Sequence, residues 1–145
     1  MTLEADISGI LANCRTIAVV GLSPNPQRAS FDVARYMQAN GYRIIPVNPN
    51  AGVAQILGEK VYPNLLEASL TEKIDLVNCF RNSEDIAPIV DDAIAISAKA
   101  VWMQLGIAHA NAAAKAKSAG LIVVQDRCLK IDHRAYQGAQ SHIRV

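Results

Sequence analysis

Apolar positions recur along this chain with two different periods, and the alternation between them predicts its elements. Residues 3–13 place Leu3, Ile7, Ile10 and Leu11 on one side of a short amphipathic helix. Ile17, Ala18, Val19 and Val20 form a run rich in β-branched residues and too short for a helix, so it reads as a buried strand. Val33, Ala34, Met37 and Gly41 then recur at helical spacing, with Ser30 available as the N-cap. Residues 42–47 predict a second strand that stops at Asn48, Pro49 and Asn50. Residues 51–73 lack a period and are expected to form an irregular connection, with a turn of helix around 65–68. A third strand is expected over 74–80, followed by a helix capped by Ser83 and running to about Ser97, with Pro88 tolerated near its first turn. Residues 100–105 predict a fourth strand ending at Gly106, 108–119 an Ala-rich helix closed by Gly120, and 121–124 a fifth strand. Periodicity stops after Arg134, which sets the expected core at about 10–135 and a surface tail over 136–145.

Strands alternating with helices imply an α/β fold. The expected architecture is a single-domain, Rossmann-like, doubly wound parallel sheet of about five strands in the order 3-2-1-4-5. Neither an internal repeat nor a linker divides the 145 residues, so one domain is expected. Such sheets bind ligands at the carboxyl ends of the strands, where the order reverses. That rule gathers residues 21–30, 47–50, 80–81, 104–106 and 127–130, which include Gly21, Leu22, Ser23, Pro24, Val47, Asn48, Gln104 and Leu105.

Residues 21–30 carry the strongest chemical signal. Gly21 permits a sharp turn, and Pro24 and Pro26 stiffen the loop without adding donors. The following helix N-terminus offers free N–H groups and partial positive charge, which suits an anion. A dinucleotide dehydrogenase would place G-x-G-x-x-G here and an acid after the second strand. This chain has neither: the loop lacks the later glycines, and Asn48 stands where the acid would be, beside Pro49. Arg28 and Arg81 are placed to meet additional phosphate, so the cleft suits a 3′-phosphorylated ADP unit better than NAD. Ser23 does not fit a hydrolase elbow, because Asn25 occupies the position that needs glycine and no His–acid pair is evident.

Several of these residues have plainer explanations. Arg28 and Arg81 can be solvated or paired, Phe80 can be core, and Asn48 can be an Asn-Pro turn former. Trp102 and Met103 fit core packing, whereas Gln104 is polar at the end of a buried strand. Cys128 is flanked by Arg127 and Lys130, whose charge favours a thiolate and a redox role; burial as a small apolar group is the plainer reading.

Composition narrows the classes. Apolar residues make up 51% of the chain and charged residues 19%, which is expected to leave surface shared with a second copy in a homodimer. A formal charge of +1 supplies no basic footprint for nucleic acid or an anionic membrane. No apolar run approaches the roughly 20 residues that span a bilayer, and Glu4 and Asp6 break any signal-peptide pattern, so a cytoplasmic location is expected. Cys14, Cys79 and Cys128 form no C-x-x-C pair, and His109, His133 and His142 have no companion at ligand spacing, so neither a disulfide framework nor a metal site is expected.

Five separated segments resemble a known family in the right order: Val19-Val-Gly-Leu-Ser-Pro-Asn-Pro-Gln-Arg28, Ile45-Pro-Val-Asn-Pro-Asn50, Phe80-Arg-Asn-Ser-Glu-Asp85, Val101-Trp-Met-Gln-Leu-Gly106 and Asp126-Arg-Cys-Leu-Lys130. They are similar to the signature segments of the small stand-alone CoA-binding proteins, over roughly residues 10–135. The family's fold is similar to the nucleotide-binding domain of the succinyl-CoA synthetase α subunit. The resemblance implies coenzyme A or an acyl-CoA at the crevice. Gly21, Ser23, Asn25, Arg28 and Ser30 would hold the phosphates, Asn48, Pro49, Phe80 and Arg81 would frame the adenosine part, and Gln104, Leu105 and Gly106 would lie along the pantetheine side. The synthetase's phosphohistidine domain has no counterpart in this sequence, so binding without catalysis is the expected function. Three alternatives stay open: a CoA-thiol redox protein forming a mixed disulfide through Cys128, an NAD(P)-binding oxidoreductase fragment, and a CoA-site subunit of a larger acyl-CoA enzyme.

Overall fold

The structure, a computed structural model, describes residues 2–143, with side chains through 140. Its elements run α1 (Leu3–Asn13), β1 (Thr16–Val20), α2 (Ala29–Ala39), β2 (Arg43–Val47), a small hairpin of β3 (Gln55–Ile56) and β4 (Glu59–Lys60), and α3 (Leu65–Ser69). Then follow β5 (Leu76–Cys79), α4 (Ile86–Ala95), β6 (Ala100–Met103), α5 (Ala110–Ser118), β7 (Ile122–Val124) and α6 (Leu129–Ile143). β2-β1-β5-β6-β7 form one parallel sheet, as the α/β pattern predicts.

Strand order departs from expectation. Counting only the five strands of this sheet, it is 2-1-3-4-5 and not 3-2-1-4-5. Pro46 gives the physical reason. It has no N–H to donate, so β2 is suited to the edge of the sheet and not to a place between two strands. Val19 pairs with it on the inner side. On the outer side a single bridge forms among the described residues, with Tyr62 N donating to Pro46 O at 3.0 Å and Asn48 N donating to Tyr62 O at 2.9 Å. The order therefore reverses between β1 and β5, and the ends of those two strands flank the crevice.

Alternate residues of each strand feed two apolar layers. Ile17, Val19, Leu76 and Trp102 face α1, α2 and α6, whose Ile10, Leu11, Met37 and Leu129 complete that layer. Ala18, Val20, Val77 and Met103 face α3, α4 and α5, through Leu65, Val90 and Ala116. Trp102 is fully buried and its Nε1 donates to Arg127 O at 2.8 Å. At the opposite end of the sheet, Asp75 Oδ2 accepts from Arg15 N (2.9 Å) and Thr16 N (3.1 Å), with Lys99 Nζ at 3.6 Å from its other oxygen. Burial pushes the Asp75 carboxyl up, but those two N–H groups and the nearby lysines outweigh it and hold it below the usual range.

Local expectations differ at four places, of which the β3–β4 hairpin, within the stretch 51–73 expected to be irregular, is the first. Residues 136–143 continue α6 and are not a surface tail; residues 144–145 and the side chain of His142 lie outside what is described. The helix is seated by buried Leu129 and His133, with Tyr36 Oη 2.8 Å from His133 Nδ1, while its polar outer face hides the period. Ser30 lies inside α2 and does not cap it: Arg28 takes the cap position without a side-chain bond. Ser83 starts a short 3-10 turn before α4, and its Oγ accepts from Ala108 N at 3.1 Å, tying together the loops after β5 and β6. No helix among the described residues is long and apolar enough to cross a membrane.

Candidate functional site

The loop leaving β1 is held in shape by its own polar groups. Gly21 N donates to Val47 O at 2.8 Å, and Ser23 N to Ser30 Oγ at 3.0 Å. Asn25 N donates to Ser23 Oγ at 3.1 Å, and Asn25 Oδ1 in turn accepts from Gln27 N at 2.9 Å. Gly21 has φ +90°, and a Cβ there would lie 2.7 Å from Phe80 O and 3.1 Å from Arg81 Cδ. Only glycine lets β1 turn this close to the end of β5.

This shape leaves α2 without an N-terminal cap. No side chain accepts from its first turn, and the N–H groups of Ala29, Ser30 and Phe31 have no partner among the described residues. Ala29 and Ser30 border a cleft of about 340 Å³, lined also by Gly21, Ser23, Arg28 and Phe80. Arg28 is exposed and has no carboxylate partner among the described residues. Fixed donors, a helix dipole and a free guanidinium converge there, which is the chemistry of a phosphate site.

A second cleft lies at the reversal point, between the ends of β1 and β5. Val20, Val47, Pro49, Pro63, Leu65 and Ile89 make its apolar walls, with Asn64, Arg81, Asp85 and Asp92 at polar positions. Burial, and then the neighbouring Asp91, push the Asp92 carboxyl above its usual range. Arg81 Nη2 lies 3.4 Å from Asp85 Oδ2, so its charge is matched locally. Gly21 borders both clefts, so the two are neighbours at the end of β1.

Most of the residues singled out from sequence converge here. Gly21, Ser23, Arg28, Ser30 and Phe80 line the cleft at the start of α2, and Val47, Pro49 and Arg81 the cleft beside it. Gln104, Leu105 and Gly106 line a third cleft, which also takes in Phe80 and Cys128. Leu22 is fully buried, backbone included, and borders none of these clefts. Asn48 borders an outer groove with Pro49, but its amide holds the loop: Nδ2 donates to Leu22 O and Oδ1 accepts from Asn50 N, both at 2.9 Å. Pro24 and Asn25 shape the loop and border none of these clefts. The cationic surround expected for Cys128 is neutralised. Arg127 makes a two-point pair with Asp132 at 2.8 Å, and Lys130 Nζ reaches Asp32 at 2.9 Å.

Pro63, Asn64, Leu65, Ile89 and Asp92 were not anticipated. A signal was present for the middle of this group. Asn64-Leu-Leu-Glu67 is a helix-start pattern, and Asn64 Oδ1 accepts from Glu67 N at 2.9 Å. Asp92 and Ile89 carried none, because α4 reaches the crevice only through the observed strand order.

The model of a family described as "CoA binding domain" matches residues 15–134. The Bacillus subtilis protein YneT, itself uncharacterised, is 38% identical over 130 residues, which is 90% of this chain and 93% of that one. The crystal structure of Prb, a protein redesigned for binding, superposes with a TM-score of 0.88 at 38% identity, covering 95% of this chain and 94% of Prb. A dinucleotide-forming acetyl-coenzyme A synthetase from Ca. Korarchaeum cryptofilum shares the fold at 23% identity and TM-score 0.65. The match spans 79% of this chain and 26% of the synthetase.

Proposed function

The chain belongs to the CoA-binding domain family, and from that premise we propose that it binds coenzyme A or an acyl-CoA by its 3′-phospho-ADP half, without catalysing a reaction of its own. The uncapped first turn of α2 carries this reading. It gives the pyrophosphate the backbone donors of Ala29 and Ser30 and the positive end of a helix dipole, already in place before binding. Arg28, exposed beside those donors, meets the additional ribose phosphate. The apolar cleft between β1 and β5 takes the adenine, whose amino group donates to a carboxylate at its edge. Asn48 in place of an acid removes the usual ribose partner of NAD, which supports CoA over a dinucleotide.

The test is parallel calorimetric titration with CoA, acetyl-CoA, dephospho-CoA and NAD. CoA is expected to bind more tightly than dephospho-CoA, and NAD not at all. Arg28→Ala is expected to weaken CoA by about tenfold or more, the worth of one charge-assisted contact, and dephospho-CoA by much less. Equal losses for the two ligands would refute the ribose-phosphate assignment. Tighter binding of NAD than of CoA would overturn the reading itself.

A further inference from the structure

Past Phe80 the crevice continues into the third cleft, of about 430 Å³, walled by Val33, Phe80, Leu105 and Ile107 with Gln104 and Cys128 among them. Phe80 and Ala29 also line the phosphate cleft, so the two adjoin. Gln104 is only 4% exposed, and its orientation is settled by chemistry. Its Oε1 lies 3.0 Å from Leu129 N, a backbone donor that cannot accept, and 3.2 Å from Asn78 Nδ2. The remaining end is therefore the amide NH₂, which has no partner among the described residues and keeps access to the cleft that this otherwise buried side chain lines, while the enclosed unpartnered atom beside it is Asn78 Oδ1. An arm carrying amide carbonyls would satisfy it.

Cys128 shares that cleft and sits one residue before α6, at the positive end of its dipole. It is partly accessible, whereas Cys14 and Cys79 are buried, and burial pushes their thiols up to about 11 and about 12. We propose that this cleft is a thiol–disulfide exchange site for a pantetheine disulfide, with Cys128 as the attacking sulfur and Gln104 as the residue that positions the arm; the proposal rests on the CoA reading above. The Cys128 thiolate attacks one sulfur of a CoA disulfide. A Cys128–S–S–CoA bond forms, the original S–S bond breaks, and the second CoA leaves as a thiolate that takes the proton Cys128 gave up. One disulfide replaces another, so no further oxidant enters. A small thiol reverses the step by the same chemistry.

The test is intact-mass kinetics on the reduced full chain, freed of reductant, with oxidised CoA and oxidised glutathione in parallel. Wild type is expected to gain one CoA, reversibly with dithiothreitol, while Cys128→Ser gains none. Delivery from the bound state should make the CoA adduct form at least about tenfold faster than the glutathione adduct. Gln104→Met is expected to reduce that ratio, a change that a merely structural loss, slowing both reagents alike, would not produce. Equal rates for the two disulfides, or an adduct that persists in Cys128→Ser, would overturn the proposal. Calorimetry of reduced wild type with reduced CoA separates the two failures. Binding without adduct formation overturns only the exchange, whereas absence of binding overturns the CoA reading as well.

Discussion

Replacing Gly21 by alanine tests the closest approach in the site. The backbone there has φ +90°, and the added Cβ would stand 2.7 Å from the carbonyl oxygen of Phe80, a contact that backbone must move to relieve. Gly120 has nearly the same φ, +92°, but nothing lies within 4 Å of its Cβ position. Alanine at either site incurs the left-handed backbone cost of about 1–2 kcal/mol. At Gly21 the overlap adds about 1–3 kcal/mol, the usual cost of forcing extra volume into a packed site. Gly120→Ala should therefore lower the melting temperature by about 3–6 °C, and Gly21→Ala by about 6–15 °C, on the usual scaling for a chain of this size. Both variants should remain folded, since the larger loss is at the lower end of ordinary domain stability. Thermal unfolding followed by circular dichroism reads both shifts. Equal shifts for the two variants would refute the argument that β1 and the end of β5 meet too closely for a side chain.

Asp75→Asn is expected to destabilise the protein at pH 7, because the carboxylate that holds Arg15 N, Thr16 N and Lys99 loses its charge. Since the folded-state pKa of Asp75 is lowered, its contribution is complete above the unfolded value of about 3.9 and is lost as pH falls through the folded value. The stability gap between wild type and variant should thus be constant near neutrality and shrink below about pH 4; a gap unchanged in urea titrations down to pH 3 would refute the assignment. Trp102→Phe removes the donor to Arg127 O and part of a fully buried ring, and should cost about 2–3 kcal/mol. A shift in the urea midpoint worth less than about 0.5 kcal/mol would show that Trp102 does not fasten β6 to the start of α6.

Periodicity made the five strands and most of their covering helices legible, because each strand is buried on both faces and each long helix has an apolar stripe facing the sheet. It failed where the stripe is narrow, as in α6, and at the two-residue strands β3 and β4, which are too short to show a period, whereas the short turn of helix expected around 65–68 is α3. A different limit explains Ser30. A serine at the right distance from an apolar run predicts a cap, but the hydroxyl is drawn back to Ser23 N, and the helix end is left open instead. What looked like the stabilising residue of α2 is the residue that fixes the loop in front of it.

Strand order has the larger consequence for the site. Under 3-2-1-4-5, the end of β1 would face the end of the fourth strand, bringing Gln104 beside Gly21. In the observed order β5 intervenes, so Gly21 meets Phe80 and Arg81, and Gln104 stands one strand further along. Pro46 carried that information, since a proline in mid-strand argues for an edge position. The displacement turns one crowded pocket into a row of adjoining clefts. The apolar cleft is shared between β1 and β5, the cleft with Arg28 opens at α2, and the Gln104–Cys128 cleft shares Phe80 with it. Under the CoA reading proposed above, base, phosphates and amide-bearing arm would take one cleft each, whereas a compact nucleotide would leave the third cleft and the unpartnered Gln104 amide unused.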